Sequence, residues 1–142
     1  MISIVLDTNS LIVSIPKRSE FRPIFDALIE GKFKLLISTE ILNEYAEKLE
    51  EKMSAVVAFN VVEMITQMNH AEKTEIYYRW HLINQDVDDN KFVDCAIAGN
   101  AQFIVTDDKH YKILKDIPFP SVKVIKTEAF RDMIVNGELE LS

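Results

Sequence analysis

Cysteine is nearly absent from these 142 residues: the single thiol, Cys95, cannot close an internal disulfide, and a reducing, cytoplasmic setting fits best. Glycine is almost as scarce. Three glycines in the whole chain leave no material for a phosphate-binding loop or a dinucleotide fingerprint. No apolar run approaches the roughly 20 residues needed to span a bilayer. The opening stretch "MISIVLDTNS" lacks a basic flank and is interrupted by an acid, so it reads as neither signal peptide nor anchor. Positive charge is also in deficit. Sixteen Lys and Arg against 23 Asp and Glu give a net charge of −7, which excludes nucleic-acid binding through a generally basic surface. It does not exclude an enzyme whose carboxylates hold divalent cations, because the metals then face the phosphates. What remains, 48% hydrophobic and 27% charged residues, is the composition of one globular domain spanning 1–142.

Short β-branched runs alternate with helical patterns. "ISIVL" reads as a buried strand ending at Asp7, and "FRPIFDALIEG" as a helix with Pro23 near its start and Gly31 as its stop. "FKLLIS" is the next strand, after which Ser38 or Thr39 can cap the helix "EILNEYAEKLEEKM". "SAVVAFNVVEMITQM" predicts a second helix despite its valines, and "EIYYRWHLINQ" is ambiguous, with an extended form favoured. Residues 89–100 are helical in pattern, "AQFIVTDD" is a strand ending on acids, and "VKVIK" is a last strand. A closing helix, "TEAFRDMIVNG", would be capped by Thr127 and stopped by Gly137. This alternation predicts an α/β fold with a mostly parallel sheet.

The acids fall in a pattern. Asp7 closes the first strand, Asp107 and Asp108 close "FIVT", and "DVDDNKFVDCA" crowds Asp86, Asp88, Asp89 and Asp94 around a helix start. Carboxyl ends of parallel strands share one edge, where sites form. Taken singly, each acid has a structural reading: Asp89 or Asp88 as an N-cap, Asp7 as an Asx turn, Asp107–Asp108 as a solvated pair in a turn. Taken jointly they repel, by on the order of 4 kcal/mol per pair at about 4 Å and an effective dielectric near 20. Lys91 and Lys109 can offset part of this, and a cation such as Mg²⁺ or Mn²⁺, which prefers oxygen ligands, does so more fully. Of the glutamates on the following helix, Glu44 flanks the buried face marked by Ile41, Leu42, Tyr45 and Leu49. A Glu44–Lys48 pair at i,i+4 is its structural explanation.

Three blocks, "VLDTNSLIVS", "ISTEILNEY" and "DVDDNKFVDCAIAGNAQFIVTDDKHY", in this order and spacing resemble a PIN domain, in particular the toxin component of toxin–antitoxin pairs. The resemblance runs almost end to end. It implies a three-layer α/β/α sandwich and Mg²⁺- or Mn²⁺-dependent hydrolysis of RNA phosphodiesters. By position it puts the acidic set on Asp7, Glu44, Asp89 and Asp108, with Asn9 beside the first acid and Thr106 at the strand end before the last. Where the family usually has a small residue between that Thr and the last acid, this chain has Asp107. Asp88, Asp94 and Asp107 are therefore accessory candidates, with Asp86 as a further alternative to Asp89. The resemblance also implies a homodimer and an antitoxin whose C-terminal segment covers the cleft.

Two other readings suit parts of the sequence. "LDTNS" superficially fits a phosphatase with Asp7 as nucleophile, although the usual second Asp two residues on is Asn9 here. A non-catalytic interaction module on the same fold is the other. His70, His81 and His110 are scattered without ligand spacing, and Cys95 reads as core. Tyr77, Tyr78 and Trp80 read as core or interface residues, with stacking on RNA bases as the alternative.

Overall fold

The computed structural model describes residues 1–84 and 87–141; Asp86 lies outside the described residues. Five strands form one parallel sheet: β1 (Ser3–Leu6), β2 (Lys34–Ile37), β3 (Ala71–Lys73), β4 (Phe103–Val105) and β5 (Val124–Ile125), in the order β3-β2-β1-β4-β5. Helices α1 (Thr8–Ser14), α2 (Arg22–Glu30), α3 (Thr39–Lys52), α4 (Ala55–Gln67), α5 (Asn90–Ala98) and α6 (Thr127–Val135) complete a three-layer α/β/α sandwich. No helix among the described residues is long and apolar enough to cross a membrane.

The central strands are buried on both faces, as a parallel sheet covered by helices requires. Ile4, Val5, Leu6, Leu35, Leu36, Ile104 and Val105 are all fully buried. Each such side chain contributes about 1.5–3 kcal/mol relative to exposure. α5 packs against β1, β4 and β2, inserting Phe92 and Val93 into this core. α3 is tied to the end of β1 by the buried Tyr45, whose hydroxyl donates to the Leu6 carbonyl at 2.5 Å.

Most expected boundaries have visible causes. Pro23 sits in the first turn of α2, and Gly31 ends it with φ of 74°, a left-handed conformation that favours glycine. Ser38 caps α3 by accepting from the Ile41 N–H at 3.3 Å. The valine-rich segment is a helix, α4, capped by Ser54.

The structure adds to the sequence reading or departs from it at four points. The short helix α1 directly follows Asp7, where the sequence suggested only a turn. β3 lies in "AEK", a three-residue edge strand with one half-buried residue, and carries no apolar signal to read. Asp89 heads α5 but makes no capping hydrogen bond to it. Thr127 is the first residue of α6 rather than its cap; the Asp107 carboxylate accepts from the Thr127 N–H at 2.9 Å instead.

Candidate metal centre

The sheet order makes β1 and β4 neighbours whose onward connections run in opposite directions, to β2 and to β5. That is a topological switch point, and the crevice beyond its carboxyl ends is where ligands bind in such sheets. Register fixes what meets there. Leu6 pairs with Val105, and the Asp7 N–H donates to the Val105 carbonyl at 3.0 Å, so the residues just past the two strands lie side by side. The Thr106 hydroxyl donates to Asp7 Oδ2 at 2.7 Å, while Asp7 Oδ1 accepts from the Thr8 N–H at 2.8 Å. Asp7 is thus held by both oxygens while remaining 8% exposed.

Asp108 follows from the same strand end. Its N–H donates to Thr106 Oγ1 at 3.1 Å, and its Oδ1 accepts from the His110 N–H at 2.9 Å. That local bond turns His110 back toward the edge, where its Nδ1 lies 3.2 Å from Asp108 Oδ1 and 3.6 Å from Asp89 Oδ2. Asp89 arrives from the opposite direction, at the head of α5, with its carbonyl accepting from the buried Tyr111 hydroxyl at 3.4 Å. One ligand atom each from Asp89, Asp108 and His110 lie within 4.8 Å of one another. His110 was discounted in the sequence because the three histidines are scattered without ligand spacing. The readable signal was its position two residues after a strand-terminal acid.

Glu44 reaches the same edge from α3. Thr8 Oγ1 donates to Glu44 Oε2, and Lys91 Nζ sits 2.9 Å from Glu44 Oε1. The i,i+4 partner suggested by sequence is not used: Lys48 pairs with Glu51 at 3.4 Å. Lys91 also donates to the Asp88 carbonyl at 2.6 Å and is largely covered. Asn9 accepts from Lys52 at 3.1 Å and shares a cavity wall with Asp7, Asp107 and Asp108.

The remaining acids have other geometry. Asp107 is turned to the start of α6. Asp94 accepts from the Trp80 N–H at 3.0 Å and faces a different cleft, with Arg79, Asp88 and Lys91.

Electrostatics mark the convergence. Burial raises the Asp7 carboxyl above its ordinary value, the Thr106 and Thr8 hydrogen bonds pull it down, and the Glu44 and Asp108 charges push it up again. Burial also raises the Tyr111 phenol far above its usual range, with the charges of Asp7, Asp89, Asp108 and Glu44 adding to the effect. One phenol therefore feels all four acids. The donor set is mainly carboxylate oxygen with one imidazole at its rim, which suits a hard or borderline divalent cation of the Mg²⁺ or Mn²⁺ kind. A cation there would offset the burial penalty and the carboxylate repulsion that together raise Asp7. On these observations the residues fit such a metal.

Fold and site together define an α/β protein with a carboxylate cluster at the switch point of a parallel sheet. The PIN domain family profile matches residues 3–110, an interval that contains every residue of the cluster. The chain therefore belongs to the PIN domain family, a family of nucleases. Two solved structures share the fold. One is the crystal structure of VapBC2 from Rickettsia felis bound to a DNA fragment from their promoter. It matches with a TM-score of 0.60 at 16% identity, over 88% of this chain and 98% of that one. The other is DNA-bound VapBC from Salmonella typhimurium, with a TM-score of 0.58 at 17% identity, over 89% and 99%. A search of curated protein sequences finds no match.

Proposed function

We propose that this chain is a Mg²⁺- or Mn²⁺-dependent endoribonuclease and the toxin of a toxin–antitoxin pair. The observation that carries the reading is the meeting of Asp89, Asp108 and His110 within 4.8 Å, beside the fixed carboxylate of Asp7. Membership of a nuclease family and the likeness to VapBC assemblies support it.

In this reading Asp7, Asp89 and Asp108 hold the metal, and Glu44 either joins them or orients the attacking water. When bound, the cation supplies Lewis-acid stabilisation of the negative charge that develops on the phosphodiester. The protein's own contribution is preorganisation. Thr106 fixes Asp7 and the Asp108 backbone together, so two ligands share one positioning residue. Thr8 and Lys91 orient Glu44, and the Lys91 ammonium offsets one of the carboxylate charges. Asn9, on the cavity wall beside Asp7, would contact the phosphate or the carboxylate. Asp107 is engaged by α6, which favours Asp108 as the ligand from this loop. Both oxygens of Asp7 are already engaged, which suits a fixed ligand better than an attacking nucleophile.

Cleavage of RNA by clean protein tests the function. Wild-type protein should cut an RNA substrate with Mn²⁺ and fail with EDTA, and Asp7→Asn should remove the activity without unfolding the chain. Retained cleavage by Asp7→Asn would overturn the assignment. The partner reading predicts an antitoxin encoded in a small neighbouring open reading frame, and a homodimer in solution by light scattering. Absence of such a frame would remove the toxin label and leave the nuclease.

A further inference from the structure

The chain's three histidines occupy three different surroundings. His70 Nε2 meets the Leu28 carbonyl, and His81 lines the separate cleft of Asp94. His110 faces the carboxylates at the strand ends, and the backbone on either side of its ring is tied to them. Asp108 caps the 3₁₀ helix Lys109–Asp116 by accepting from the His110 N–H at 2.9 Å. The next residue, Tyr111, is buried and donates its hydroxyl to the Asp89 carbonyl at 3.4 Å. The imidazole is thus held between the two acids that it approaches.

Its distances to them are those of a ligand. Nδ1 lies 3.2 Å from Asp108 Oδ1 and 3.6 Å from Asp89 Oδ2, and the three residues each offer an atom within 4.8 Å of the others. An octahedral cation with bonds of about 2.1 Å holds neighbouring ligand atoms roughly 3 Å apart and opposite ones about 4.2 Å apart. Nδ1 therefore stands where a ligand adjacent to both carboxylates would stand. A hydrogen bond is the other use for such a nitrogen, and it is not made. Nδ1 is buried and has no hydrogen-bond partner among the described residues, despite its approach to Asp108. Two roles remain for the ring. A protonated imidazole is a counter-ion to the two acids, and a neutral one turns a lone pair to a metal.

Building on the metal-dependent ribonuclease reading above, we propose that His110 Nδ1 is a ligand of the cation beside Asp89 and Asp108, and that it sets which cation the centre selects. Mg²⁺ keeps to oxygen ligands, whereas imidazole favours the first-row transition cations. Carboxylates suit Mn²⁺ as well as Mg²⁺. One nitrogen among the oxygens therefore tilts the centre toward Mn²⁺.

Full-length protein loaded with Mn²⁺ alone, without RNA, gives two readouts independent of cleavage. In pulsed electron paramagnetic resonance, bound Mn²⁺ should show the coupling of a directly bonded ¹⁴N. That coupling should change to ¹⁵N in protein grown with ¹⁵N-labelled histidine, and vanish in His110→Gln. In calorimetry His110→Gln should bind Mn²⁺ about 10-fold more weakly or worse, as loss of even an outer-shell partner costs about 10–100-fold. Its Mg²⁺ affinity should be nearly unchanged. Bound Mn²⁺ without a histidine coupling, or with one that persists in His110→Gln, would overturn the proposal and leave the carboxylate centre and the ribonuclease reading in place. A His110→Gln variant that binds both cations more tightly would make the ring a counter-ion and overturn the proposal in the same way. Failure of wild-type protein to bind Mn²⁺ at all would remove the proposal together with the metal-dependent reading on which it rests.

Discussion

Replacing Thr106 with valine keeps side-chain volume and removes one hydroxyl at the junction of two candidate ligands. That hydroxyl donates to Asp7 Oδ2 at 2.7 Å and accepts from the Asp108 N–H at 3.1 Å, at a residue 2% exposed. Stranding a buried acceptor or donor costs about 1–3 kcal/mol. For a domain of this size about 1 kcal/mol moves the melting temperature by roughly 3 °C, so the variant should melt about 3–10 °C lower. The penalty should also depend on pH. Burial holds the Asp7 carboxyl above its ordinary value of 3.8. Stability linked to Asp7 is therefore fully present below that value and lost as pH rises through the raised one. Without the Thr106 bond, which lowers the Asp7 value, the loss extends to higher pH. The deficit of Thr106→Val relative to wild type should accordingly grow between acidic and neutral pH. Denaturant unfolding of metal-free protein across that range measures it. Thr106→Ser retains the hydroxyl and loses one methyl, about 1 kcal/mol, and its deficit should be flat with pH. A pH-independent deficit in the valine variant, or a growing one in the serine variant, would show that the Thr106 hydroxyl does not set the ionisation of Asp7.

Three further outcomes follow from neighbouring contacts. Asp107→Ala should destabilise by about 0.5–2 kcal/mol through loss of the α6 cap, yet leave Mn²⁺ affinity by calorimetry unchanged, whereas Asp108→Asn should weaken Mn²⁺ binding. Lys91→Met leaves the partly buried Glu44 without its cation. It should lower the melting temperature of metal-free protein, by about 1–3 kcal/mol in unfolding energy, with much of the deficit recovered on adding Mn²⁺. Burial pushes the Cys95 thiol up to about 12. A thiol reagent at pH 8 should thus leave native protein unmodified and react only on unfolding, and rapid native labelling would contradict its place on the buried face of α5.

Elements and residues are legible in the sequence where their signal is local. Strands β1, β2 and β4 were readable because burial on both faces leaves an unbroken apolar run. β3 was not, since its three residues are half-buried or exposed and owe their pairing to β2. The acids at strand ends could be named from position alone, because a parallel sheet brings such ends to one edge. Their individual roles could not. Asp107 and Asp108 are adjacent letters, and only the place of α6 beside that loop separates a cap from a candidate ligand. Glu44 was singled out by resemblance, and its partners Thr8 and Lys91 lie 36 and 47 residues away in sequence. No local pattern reports such contacts. His110 was missed for the same reason, since the proximity of its ring to Asp89 is tertiary. Of the core-or-interface reading of Tyr77 and Tyr78, the core half fails, because their irregular segment leaves both rings at the surface.

The most direct test of the central claim is a crystal soaked in Mn²⁺, with the metal located by its anomalous scattering. Density is expected at the switch point between β1 and β4, within bonding distance of Asp89 and Asp108 and on the side of Asp7. A saturating soak that left this edge without a metal, or placed it in the cleft of Asp94 and Asp88, would show that the acids at the strand ends are not the metal site.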